Sequence, residues 1–181
     1  MRAFAFTIAL MLAAPLAHGA VVVRHDLDSL VRASDGIVFG RVIGAEPTWR
    51  DGRIVTLVRV ATDFVARGEL PAIVIVEALG GEIDGLGQVA VGAPVFQVGE
   101  TVGLFLQRRG DVWRVAGLAQ GKVRLELRPG ATDVVRQLGA LTLVDRRPDG
   151  TLAPAKPSLP SAQRLDRFLI DLSAALARHP E

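Results

Sequence analysis

From Arg53 to Ala66 the chain alternates without a break, with Ile54, Thr56, Val58, Val60, Thr62 and Phe64 on one side and Val55, Leu57, Arg59, Ala61, Asp63 and Val65 on the other. A period of two over that distance is a β-strand, because only extended backbone sends successive side chains to opposite faces. Asp51-Gly52 just before it supplies the positive φ angles of a tight hairpin turn. Arg67-Gly68-Glu69-Leu70-Pro71 ends it. A strand this long needs a bend or bulge so that it can serve two sheets, which points to a small closed β structure.

The neighbouring segments fit that frame. Ile37 to Ile43 is apolar on both faces, as a central strand would be, and Gly40 within it marks a bulge or a close backbone approach. Ala72 to Leu79, Thr101 to Gln107, Val112 to Leu118 and Lys122 to Arg128 read as further strands, the last with one apolar and one charged face. Asp133 to Leu138 is a strand or a helical turn, and Leu141 to Val144 a short strand. Ala20 to Arg24 is a short β-branched run. Leu27, Leu30 and Val31 behind Asp26 make a short capped helix. Residues 80–94 carry five glycines and Pro94, which reads as a long loop without regular structure. Residues 145–160 carry Pro148, Pro154, Pro157 and Pro160 and read as a proline-rich connection. From Ser161 to Arg178 the residues Ala162, Leu165, Phe168, Leu169, Leu172 and Leu176 form one face of an amphipathic helix expected to pack on the β structure. The fold expected is mainly β, a small antiparallel OB-like Greek-key barrel with a short N-terminal helix and a C-terminal amphipathic helix.

Residues 1–19 have Arg2, an apolar run from Ala3 to Ala14, Pro15, and Ala17-His18-Gly19. That is the layout of a secretory signal peptide cleaved after Gly19. The organisation expected is a signal peptide over 1–19, a barrel domain over 20–144, the connection over 145–160 and the helix over 161–178. The location expected is periplasmic or secreted, with no membrane span after cleavage. Cysteine is absent from the 181 residues, so the exported domain must hold together by packing alone and thiol or Cys–zinc chemistry is excluded. A formal charge of +2 gives no reason to expect nucleic acid as a partner.

Ser34-Asp35-Gly36-Ile37-Val38-Phe39-Gly40-Arg41-Val42, the basic-Gly-acidic turn Arg67-Gly68-Glu69, and Gly99-Glu100 ahead of Val102-Gly103-Leu104-Phe105-Leu106 occur in one order along the chain. In that order they resemble netrin-like and tissue-inhibitor-of-metalloproteinase domains. Gly92-Ala93-Pro94-Val95-Phe96-Gln97-Val98-Gly99-Glu100 is also similar to a Gly-x-Pro-x-Phe-x-x-Gly-Glu signature of uncharacterised exported bacterial proteins. The resemblance covers roughly residues 26–127 and implies the OB-like barrel. Those inhibitors carry a disulfide-linked cysteine at the mature N-terminus and this chain has none, so the resemblance transfers the fold and not inhibition by motif.

His25 and His179 are the histidines beyond residue 19, one near each end, and none of Ser29, Ser34, Ser158, Ser161 and Ser173 stands in Gly-x-Ser-x-Gly. Glu82 and Asp84, beside Gly85 in the glycine-rich stretch, suit calcium binding or acid–base chemistry, or read simply as solvated loop charges. Trp49 and Trp113 read as a stacking pair or as residues of a solvated strand face. The function expected is a non-enzymatic binding module needing no cofactor and no metal, with a protein partner outside the cytoplasm. Its surface is expected from the glycine-rich stretch 80–94 and the mature N-terminal segment, with Ala20, Val21, Val22, Glu82, Asp84 and Gly85 as its residues. One form of this is a metalloprotease-inhibitor-like contact in which the free amine of Ala20 reaches a protease zinc. The alternatives are a carboxylate-based hydrolase using Glu82 and Asp84, and a structural envelope component.

Overall fold

The computed structural model describes residues 19–139 and 141–180. The signal peptide expected over 1–19 lies outside the described residues apart from Gly19. In chain order the elements are β1 (Ala20–Val23), α1 (Leu27–Arg32), β2 (Gly36–Arg50), β3 (Arg53–Arg67), β4 (Ile73–Leu79), β5 (Gly81–Ile83), β6 (Leu86–Gln88), β7 (Thr101–Arg109) and β8 (Val112–Val115). A 3-10 turn (Leu118–Gly121) follows, then β9 (Lys122–Arg128), β10 (Ala131–Val135), β11 (Leu141–Arg146), β12 (Leu152–Pro154), β13 (Ala162–Arg164) and α2 (Leu165–Arg178). The protein is mainly β with two helices, and no helix among the described residues is long and apolar enough to cross a membrane.

The long hairpin forms as its sequence dictates. Asp51 and Gly52 take φ of 49° and 73°, the left-handed pair of a two-residue turn. β2 runs on to Arg50, well past the Ile43 limit expected, because it pairs with β3 along its whole length. Register shifts beside Val38, Gly40 and Gly44 bend the ribbon. A Cβ at Gly40 would overlap the Ala61 carbonyl oxygen, so only glycine lets the two backbones approach there.

Five strands pair around a closed ring in the order β2–β3–β4–β8–β7 and back to β2. β7 forks at Phe105: Leu106–Arg109 pair with β8, whereas Thr101–Leu104 pair with β9, and β10 and β13 extend that branch. Two cores result. Val38, Val42, Val58, Val60, Val74, Val76, Val102, Leu104 and Leu106 are buried inside the ring. Ile37, Phe39, Phe105, Val123 and Val134 point outward and are covered by Leu27, Leu30 and Val31 of α1 and Phe168, Leu172 and Ala175 of α2. Asp26 caps α1 by accepting from Ser29 N at 2.8 Å. Arg67 Nη1 donates to the Val31 and His179 carbonyls, and Asp28 pairs with Arg178, so β3 and both helices are clasped together.

Several expectations are corrected. The architecture is not wholly antiparallel, since β1 runs parallel to β11 and β4 pairs with β8 in parallel at Val76 and Trp113. The glycine-rich stretch is not all loop: β5 and β6 form a hairpin turned at Asp84 (φ 52°) and Gly85 (φ 78°), the same Asp-Gly device as at 51–52. The proline-rich connection contains β12, which pairs with β11 where Pro154 needs no donor on its outer edge. The strand expected over Val112 to Leu118 stops at Val115, and after a turn at Ala116 and Gly117 the 3-10 turn begins at Leu118. Helix α2 starts at Leu165 because Ala162–Arg164 pair with the open edge of β10 instead. Phe168 and Leu172 are buried as expected, but Leu169 is 39% exposed, because the covered stripe runs through Ala175.

Candidate functional site: a groove walled by the glycine-rich segment

After β6 the chain runs as Val89 to Val95 without strand or helix. Gly92 takes φ of 84°, and a Cβ there would overlap Leu141 Cδ2 and lie 3.4 Å from Ala20 Cβ. Glycine is required because backbone, Leu141 and the start of β1 meet at this point. Ala119 N donates to the Gly92 carbonyl at 3.0 Å and fixes the segment above the 3-10 turn.

Lys122 holds the other end. Its Nζ donates to the Val95 carbonyl at 2.5 Å and to Glu100 Oε1 at 2.6 Å, and it lies 4.6 Å from the centre of the Phe96 ring. Burial pulls this ammonium below its ordinary range, while the Glu100 carboxylate works against the shift. The charged face that the sequence shows along β9 is therefore partly covered. The reason is register: Lys122 opposes Leu104 and Arg124 opposes Val102, so both cations continue the inner face of the ring.

Between this segment and the chain after β10 lies an open groove of about 520 Å³. Val89, Val91, Pro94 and Val95 line one side, Val135 and Leu138 the other, and Ala119, Lys122 and Arg124 the floor. Val89 is 89% exposed and Val95 77%, so the wall is apolar surface in contact with solvent. Arg124 pairs with Glu126 through one guanidinium nitrogen, and its Nε is buried with no hydrogen-bond partner among the described residues. The volume falls in the range of small-ligand pockets.

The six residues expected to form the partner surface fall on two separate sheets. Ala20, Val21 and Val22 lie in β1, paired to Leu141, Thr142 and Leu143 of β11, and Val21 is 61% exposed. Gln120 fastens the end of this arm by donating to the Val23 carbonyl and accepting from His25 N. Glu82, Asp84 and Gly85 stand exposed on the β5–β6 hairpin, which leans through Gly81 on Ile54, Thr56 and Pro47 of the long ribbon. It is the later part of the glycine-rich stretch, at Gly92, that meets the N-terminal arm. Among the described residues no group of three or more His, Cys, Asp or Glu side chains converges to hold a metal ion.

Trp49 and Trp113 do not make one exposed platform. Trp49 is 53% exposed near the hairpin turn, while Trp113 packs against the ring interior with the Arg108 guanidinium 5.5 Å from its ring centre. Glu77, the one charge in β4, is 3% exposed on the outer face and bridges Arg50 (2.6 Å) to Arg114. Burial opposes its ionisation, but hydrogen bonds from both guanidinium groups outweigh that and hold the carboxyl below its usual range. This cluster ties β2, β4 and β8 together and is structural.

The stretch 80–94 was expected at the partner surface, and Val89 to Val95 within it wall the groove, but sequence reasoning missed the groove-lining role of Lys122, Arg124, Val135 and Leu138. The signal was the alternation of Lys122 and Arg124 with Val123 and Leu125, which places both cations on one face without saying what faces them. Compared with protein-family models, with curated proteins and with solved structures, the chain matches none.

Proposed function

We propose that the chain is an exported, non-enzymatic binding module built on an OB-like Greek-key barrel, and that a protein partner docks an extended apolar segment along the groove between Val89–Val95 and Val135–Leu138. Support for the barrel reading is the order of the ring, in which the last two strands swap places and close through a parallel β4–β8 contact. The observation that carries the binding reading is the exposed apolar wall of Val89 and Val95 over a groove of about 520 Å³. A photo-crosslinking residue at Val95, with a control at Ile170, tests it in the exported fraction. A partner trapped at Val95 and lost in a Leu138→Asp variant that melts normally supports the reading. Equal labelling at both positions would overturn it. Intact mass of the exported protein checks cleavage after Gly19.

A second reading has its own observation. A metalloprotease-inhibitor-like contact through the Ala20 amine requires an ordered arm, and the pairing of Val21 to Val23 with β11 provides the restraint that a disulfide gives elsewhere. An α-amine titrates at about 7.7–8.0 and must be neutral to bind zinc, so inhibition would weaken as pH falls below about 7. One extra residue before Ala20 should abolish it, and equal potency of both forms would remove this reading. The carboxylate-hydrolase and envelope-component readings have no geometric observation in their favour, Glu82 and Asp84 being exposed and without a converging third group.

A further inference from the structure

Leu138 also lines a second, much smaller cavity of about 10 Å³, bounded by His25, Gln120, Arg136, Leu143 and the Pro157–Leu159 turn. Its polar groups are mostly satisfied. Gln120 serves the arm as described, Ser158 Oγ donates to the His25 carbonyl at 2.9 Å, and Arg136 Nη1 donates to the Gln120 carbonyl at 3.1 Å. Two atoms are left over: Arg136 Nη2 and His25 Nδ1 are both buried and have no hydrogen-bond partner among the described residues.

The charge is also left over. Arg136 forms no ion pair with a carboxylate among the described residues, and burial alone pulls its guanidinium down to about 10. His25 is pulled down by burial, with the Asp26 charge beside it working the other way, so the imidazole is neutral at pH 7 and can present an Nδ1–H. Arg136 is half-buried as a whole, but its Nη2 is shut off from solvent, and an open guanidinium donor so placed is costly unless an acceptor meets it, an anion meeting both the donor and the charge. The lining offers no such acceptor, and the space admits a single small particle.

We propose that this cavity binds one small monovalent anion of the chloride class, held by the Nη2–H of Arg136 and the Nδ1–H of His25. The ion closes a joint between three segments: His25 two residues past the N-terminal arm, the chain leaving β10, and the proline-rich turn at 157–159. Occupancy therefore sets how firmly β1 and β11 are held beside the groove.

The experiment melts the full exported chain in sodium chloride and in sodium gluconate at equal ionic strength, gluconate being too large for the cavity. Saturable chloride binding at about ten times its Kd should raise Tm by about 3 °C or more. The difference should vanish in Arg136→Gln. Crystals grown in sodium bromide give a check that needs no variant, because bromide bound beside Arg136 scatters anomalously. Equal melting in both salts, a difference that survives Arg136→Gln, or no anomalous peak in the cavity would each overturn the proposal and leave a buried water as the occupant.

Discussion

Inside the five-strand ring the buried side chains are nearly all valine and leucine, whereas the core between the sheet and the helices is built around Phe39, Phe105 and Phe168 with leucines from both helices. Geometry accounts for the contrast. A ring of five strands encloses a narrow space, and short β-branched side chains fill it from all sides without leaving their preferred rotamers. A helix stands about 10 Å from the sheet it covers, and long or aromatic side chains do most to bridge that gap, with Val31, Val123, Val134 and Ala175 filling in around them. Phe39 and Phe168 meet edge to face, with centroids 6.4 Å apart. The inner core is therefore many small contributions on rigid backbone, and the outer core is a few large ones.

The largest expected effect tests that asymmetry. Phe168→Ala should cost about 3–5 kcal/mol in denaturant unfolding, and Val76→Ala inside the ring about 2 kcal/mol. Equal costs would break the contrast. Gly40→Ala should cost about 1–3 kcal/mol through overpacking, because the new methyl meets backbone rather than a movable side chain. A neutral Gly40→Ala in the same measurement would show that the ribbon can open at its bulge. Next comes acid sensitivity. Glu77 has a folded pKa below its ordinary value of about 4.5, so its contribution is present above that pH and is lost as pH falls through the lower folded value. Glu77→Gln should lower stability at pH 7 and flatten the loss measured as pH falls below about 4.5. An unchanged acid profile would mean that the outer-face bridge is not what joins β4 to β2 and β8. The smallest effect is Leu169→Ala, expected within about 0.5 kcal/mol in contrast to its neighbour Phe168.

How much of this was legible in the sequence depended on whether a residue's neighbours were near in the chain. The Asp51-Gly52 hairpin, the capped first helix and the bulge at Gly40 are set by local backbone chemistry, and each appears where expected. Asp84-Gly85 carries the same turn signal, yet the surrounding glycines hid the three-residue strands that it joins. The β1–β11 pairing, β12 and β13 depend on partners far along the chain, and periodicity carries no information about a partner. For Ala162 to Arg164 an open sheet edge overrode a helical pattern that continued cleanly into α2. The groove was hidden for the same reason. Lys122 and Arg124 look solvent-facing on their own strand, and only the register with β7 shows that they prolong the inner face of the ring.

The parallel pairing of β1 with β11 also dictates when the protein can be finished. Arg24 and Asp145, which pair just beyond the end of that short ladder, are 121 residues apart. At about 5–20 residues per second a ribosome needs about 6 to 24 s to make the intervening chain, longer than a small β-rich domain takes to fold. The ring and its helix-ready outer face can therefore be in place while the N-terminal arm still has nothing to pair with. Through that interval the first strand lacks the neighbour it pairs with in the folded protein, and it is stitched down only once the chain has been made past Asp145.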